Sequence, residues 1–122
     1  MSVKDNIDRL REEVPAEVKI VAVSKFHPID EIMEAYDDGQ TLFGESRVQE
    51  LQDKHPELPQ DIEWHFIGSL QRNKVRFIAP FVSLIHSLDS ERLMREIDSR
   101  AAQNNRVIRC LLQLHVADEE TK

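Results

Sequence analysis

Apolar positions recur along the chain with two different periods, and they divide it into alternating helices and strands. Val3, Ile7, Leu10 and Val14 are spaced by four, three and four residues. This predicts one apolar stripe on an otherwise charged opening helix, which Pro15 ends. Ile20 to Val23 then form a short continuous apolar run, of the kind found in a parallel strand covered on both faces. The run stops at Ser24-Lys25, and Pro28 opens a helix whose stripe is Ile29, Ile32, Met33 and Tyr36. Asp37-Asp38-Gly39 closes it. Thr41 to Phe43 predicts a second strand, and Ser46 with Gln49 has capping-box spacing at the start of a helix carrying Val48 and Leu51.

His55-Pro56 and Leu58-Pro59 mark a loop, because neither pair can continue a helix. Ile62 to Ile67 predicts a third strand ended by Gly68. Leu70, Phe77 and Ile78 give the next helix its apolar side, with Gln71 to Lys74 in the first turns and Pro80 as its stop. Phe81 to Ile85 predicts the fourth strand. Asp89 or Ser90 caps a helix with Leu93, Met94, Ile97 and Ala101 on its inner face, and Val107 to Val116 predicts the fifth strand.

One helix, four strand–helix units and a final strand imply a mainly parallel sheet of the α/β class. Its closure is open at this level, either a doubly wound sheet or an eight-fold barrel. A barrel takes roughly 250 residues, so this chain would supply a little over half of one. Ala117 to Lys122 follow a strand without the helix that should cover it, so the expectation is a fragment.

Composition narrows the function classes. With 122 residues, 40% hydrophobic and 32% charged, the chain fits an ordinary soluble domain. A net charge of −7 argues against a nucleic-acid binder working through a broad basic surface. Arg72, Lys74 and Arg76 make only a short basic helix face. The single cysteine, Cys110, excludes a disulfide framework and reads as a core thiol. No apolar leader follows Met1 and no run reaches membrane-spanning length, so no membrane role and a cytoplasmic location are expected. Five scattered histidines show no paired ligand spacing, and no metal site is expected.

The chemistry collects at strand ends. Side by side, the strands bring Ser24 and Lys25, Gly44 to Ser46, His65 and Gly68, His86 and Ser87, then Gln113 and His115 to one rim. A lysine at the C-terminal end of a barrel strand faces the active-site mouth. Partly desolvated, its amine can attack an aldehyde to form a Schiff base. The plainer reading is a solvated loop lysine. The segments around Gly44 and Gly68 both pass from a strand through glycine into a helix N-terminus, offering backbone N–H groups to an anion or carbonyl oxygen.

These segments closely resemble the pyridoxal phosphate homeostasis family. The resemblance is carried by Ala22-Val23-Ser24-Lys25, by Phe43-Gly44-Glu45 with Val48-Gln49-Glu50, and by Trp64-His65-Phe66-Ile67-Gly68 with Leu70-Gln71-Arg72-Asn73-Lys74. Ser83 to Ser87, Leu111-Leu112-Gln113 and Glu119 to Lys122 extend it through nearly the whole chain. It implies a (β/α)8 TIM barrel of the alanine racemase N-terminal-domain type, with about the first five strands here and residues 1–122 as the N-terminal portion of a single domain. It implies pyridoxal 5'-phosphate (PLP) as cofactor, held as a Schiff base on Lys25, for intracellular PLP homeostasis without established catalytic turnover. PLP-dependent apoenzymes are the implied partners, and the full-length protein a monomer or weak dimer. The phosphate cradle is implied to lie in the C-terminal half.

Around Lys25, the candidate cofactor-binding rim is Glu45, Ser46, His65, Gly68 and Asn73. Each has a structural alternative. Glu45 can complement a helix dipole, Ser46 can be an N-cap, His65 a hydrogen-bonded core residue, Gly68 a backbone requirement, and Gln71, Asn73 and Lys74 supports for strand ends. Ser46 stands where the family commonly has Asn, and Phe26-His27-Pro28 where many members have Thr-Lys-Pro. The rival functions are a racemase-like PLP enzyme or a Schiff-base aldolase on the same barrel. Racemisation needs a second acid/base, and the only tyrosine, Tyr36, sits on a helical stripe.

Overall fold

The computed structural model describes residues 3–113. Its elements are α1 (Val3–Glu13), β1 (Ala22–Val23), α2 (Ile29–Asp37), β2 (Leu42–Glu45), α3 (Val48–Lys54), β3 (Glu63–Phe66), α4 (Val75–Ile78), β4 (Val82–Leu88), α5 (Glu91–Gln103) and β5 (Arg109–Leu112). The strands form one parallel sheet in the order β1-β2-β3-β4-β5. A doubly wound sheet reverses its strand order at a switch point, and this one does not. Right-handed crossovers along an unreversed order put every helix on the same face. The result is a partial α/β barrel, which resolves the two closures that periodicity left open.

Register separates the two faces. Ala22, Phe43, Trp64 and Val82 lie side by side, and so do Val23, Gly44, His65, Leu84 and Arg109. The first row faces the helices. With Phe66, Ile85, Leu51, Val75 and Ile78 it forms the core, where each buried large side chain contributes about 1.5–3 kcal/mol. The second row lines the open face, and Val23 there is 49% exposed. Side chains alternate across a strand, and a register shift in the β3–β4 pairing between Trp64 and His65 is what puts Val82 in the first row and Leu84 in the second.

Several expected boundaries shift. β1 keeps two residues instead of Ile20–Val23, because it pairs only with β2. β2 runs on to Glu45 and β4 to Leu88. The helix after Gly68 shrinks to a 3-10 turn, Arg72–Lys74, followed by Val75–Ile78. In α1, Ile7 is buried but Leu10 is exposed. Ser90 caps α5 as expected, accepting a hydrogen bond from the Leu93 amide. Met94 is 48% exposed, not core, because it lies beyond the stripe of Leu93, Ile97 and Ala101 that meets the sheet. Cys110 is half-buried against the core, and burial pushes its thiol up. Of the expected fifth strand, Leu114, His115 and Val116 lie outside the described residues.

Among the described residues, no helix is long and apolar enough to cross a membrane, and no group of three or more His, Cys, Asp or Glu could hold a metal ion.

Candidate functional site

Ala22 turns to the helices, Val23 to the open face and Ser24 back to the core, and Lys25 follows as the second residue of the turn that leaves the C-terminal end of β1. Ser24 is buried and donates its hydroxyl to Glu45 Oε2. Lys25 is exposed, and its ammonium has no partner among the described residues. The chain then turns sharply. The Ser24 carbonyl accepts from the His27 amide at 3.0 Å, and Phe26 has φ 66°. A positive φ at the third residue of a turn is the mark of type II, where glycine is usual and phenylalanine is strained by about 1 kcal/mol. The Arg47 guanidinium lies 4.8 Å over the Phe26 ring.

Beneath this turn lies a polar cluster that sequence reasoning missed. Lys54, at the end of α3 and 8% exposed, donates to the Ser24 carbonyl at 2.8 Å, to Glu45 Oε2 at 2.9 Å and to Glu50 Oε2 at 2.7 Å. An ammonium has three N–H donors, and all three are used. Glu50 Oε2 also accepts from the Phe26 amide at 2.5 Å. Burial pushes Glu50 up, but Lys54, the Phe26 amide and Arg47 outweigh it and hold the carboxyl below its ordinary value. The available signal was the Glu50–Lys54 spacing of four on a helix, with Glu45 at a strand end.

The other candidates divide among three places. Glu45 is fully buried on the helix-facing side, beneath the rim and not on it, and its Oε1 has no hydrogen-bond partner among the described residues. Ser46 does not cap α3, which corrects the capping-box reading. Arg47 is the N-cap, and no side chain caps the helix. Ser46 is instead pressed against Gly68, where a β-carbon would sit 2.4 Å from the Ser46 carbonyl oxygen. Gly68 is therefore glycine because two strand-to-helix junctions meet there, and its own carbonyl accepts from Ser87 Oγ at 2.6 Å. Asn73 is exposed on the turn before α4. Ser46, Gln49, Ser69, Gln71 and Lys74 border a cleft of about 750 Å³ between the two junctions, and Lys25 is not among its lining residues.

His65 lies on the same face as Val23 and Gly44 and is buried. Its Nε2 is 3.1 Å from Glu63 Oε2 and its Nδ1 is 3.1 Å from His86 Nε2. A carboxylate only accepts, so with both rings neutral His65 carries its proton on Nε2 and receives one hydrogen bond from His86 on Nδ1. Glu63 also escaped sequence reasoning, although two positions along a strand is the spacing of one face. Burial, then the neighbouring His65, pushes His86 below its ordinary value.

An exposed amine without a partner fits the capture of an aldehyde, whereas His65 lines a cavity with Lys19, Glu63, Ser83 and Arg106, toward the strand starts and not beside Lys25. No phosphate cradle beside Lys25 is apparent among the described residues.

The family profile described as alanine racemase, N-terminal domain, matches residues 1–119. The pyridoxal phosphate homeostasis protein of Aquifex aeolicus is 47% identical over 105 residues, which is 85% of this chain and 46% of that protein. The protein of the same name from Schizosaccharomyces pombe is 41% identical over 107 residues, 86% of this chain and 45% of that one. Among solved structures, PipY of Synechococcus elongatus with PLP bound superposes with a TM-score of 0.89 at 39% identity, covering 95% of this chain and 56% of that one. The chain thus spans about half the length of these relatives.

Proposed function

This chain belongs to the alanine racemase N-terminal domain family, and from that premise we propose that it is the lysine-bearing, N-terminal portion of a single-domain PLP homeostasis protein. The observation that carries the reading is the placement of Lys25, an exposed amine on a fixed turn at the C-terminal end of β1. When bound, PLP supplies an aldehyde that a lysine amine captures with loss of water. Lys25 provides that amine. The His65–His86 pair fixes which ring nitrogens carry protons on the open face, and Val23 on that face offers an apolar surface for a ring. Ser46 and Gly68 pack the two strand-to-helix junctions together, and with Asn73 on the turn before α4 they act on the cofactor by shaping the rim. Glu45 acts from below.

The role is binding without turnover, in the cytoplasm, with PLP-dependent apoenzymes as recipients and a monomer or weak dimer as the working unit. Tyr36 supports the absence of racemase chemistry in this portion, since its hydroxyl donates to Asp61 Oδ1 at 2.7 Å from helix α2.

The test is borohydride reduction of the intact gene product with PLP, followed by peptide mapping. The expected result is one pyridoxyl adduct on Lys25, lost in Lys25→Ala. Wild-type protein that gives no Lys25 adduct would overturn the reading, and product formed from free amino acids would overturn the non-catalytic part of it.

A further inference from the structure

The two peptide units that flank Lys25 are both gripped by α3. On one side the Ser24 carbonyl takes a hydrogen bond from Lys54 Nζ at 2.8 Å. On the other the Phe26 amide donates to Glu50 Oε2 at 2.5 Å. Lys54 and Glu50 are themselves joined at 2.7 Å, so the grip is one continuous clasp across the turn. Glu45, fully buried, anchors it to β2 through Lys54 at 2.9 Å and through the Ser24 hydroxyl. Phe26 at φ 66° is a conformation that a non-glycine residue holds only when its surroundings impose it. The clasp supplies that constraint.

We propose that Glu50 and Lys54 are positioning residues for Lys25, a clasp on its flanking peptides that aims the lysine toward its aldehyde partner. The inference rests on the PLP reading above. It also explains why two lysines so close together have separate roles. Lys54 has all three N–H groups committed to acceptors, whereas Lys25 has none committed among the described residues. The clasp touches only backbone at residues 24 and 26, so it fixes the base of the Lys25 side chain and leaves the amine accessible.

The test compares Glu50→Ala, Glu50→Gln and Lys54→Met with wild type in the intact gene product. The readouts are the rate of borohydride-trapped PLP on Lys25, amide hydrogen exchange at Phe26 without PLP, and far-UV circular dichroism. Glu50→Ala removes the acceptor from the helix surface. It is expected to keep the wild-type dichroism, to speed exchange at Phe26 and to slow trapping by roughly tenfold, the scale of effect that misplacing a reacting group produces. Glu50→Gln keeps one acceptor oxygen and is expected to recover part of the rate. Lys54→Met is expected to slow trapping further. Should it fail to fold, Glu50→Ala decides. Wild-type trapping rates in a folded Glu50→Ala would overturn the clasp while leaving the PLP reading intact. No Lys25 adduct in wild type would overturn both.

Discussion

His86 is held below the ordinary imidazole value of 6.5 by burial and by His65 beside it. The unfolded chain therefore binds a proton in the window just below 6.5 that the folded chain refuses, and stability rises with pH across that window. Lowering the pH through it removes stability, and above it this contribution is flat. His55, stacked at 3.7 Å on Phe81, is shifted the same way by burial and adds to the slope. The expected outcome is a urea midpoint that falls on acidification below 6.5, with His86→Gln flattening part of the fall and His55 sustaining the rest. An unchanged slope in His86→Gln would remove His86 from the account. At this scale the sequence was legible where a residue's neighbours are its own strand. The strand end just before Lys25 is read from residues 20–25 alone. Lys54 was harder to read because only Glu50 is near it in sequence, while Ser24 just past β1 and Glu45 on β2 are brought to it by the fold.

The junctions between elements carry the tightest geometry. Adding a methyl group at Gly68 would drive it into the Ser46 carbonyl oxygen at 2.4 Å and the Ser46 Cα at 2.9 Å, backbone atoms that cannot swing aside as a flexible side chain does. At Gly44 the same methyl would meet Val21 and Ile67 side chains at 3.1–3.3 Å, which can give by a few tenths of an ångström. Gly68→Ala is therefore expected to cost about 1–3 kcal/mol and Gly44→Ala clearly less. Denaturant unfolding of the two variants side by side checks the order, and equal losses would contradict it. Element order and most strand positions were legible from periodicity, and Ser90 was legible as a cap. Ser46 was misread for a physical reason. The capping-box spacing assumes a serine with no other demand on it, but the junction packs Ser46 against Gly68 and starts the helix two residues later, at Val48.

Across the molecule, the open face and the sheet's edges carry exposed apolar surface. Val23 lies exposed on that face, and Leu111 and Leu112 are exposed on β5. Among the described residues, β1 and β5 each have one strand neighbour. Unpaired strand edges beside exposed apolar side chains template association. A polypeptide of these 122 residues alone is expected to self-associate, giving a light-scattering mass above that of one chain. A monodisperse monomer that unfolds cooperatively would contradict this. Periodicity could not choose between barrel and doubly wound sheet, because both use the same units and differ only in which edge each new strand joins. The strict order of the sheet has a further consequence for assembly. Each strand is laid against the one synthesised just before it, and the groups that clasp the lysine's turn span only 30 positions, from Ser24 to Lys54. Short loops close at small entropic cost. Every side chain that holds the turn around Lys25 is therefore encoded before β3, β4 and β5, within the first 54 residues.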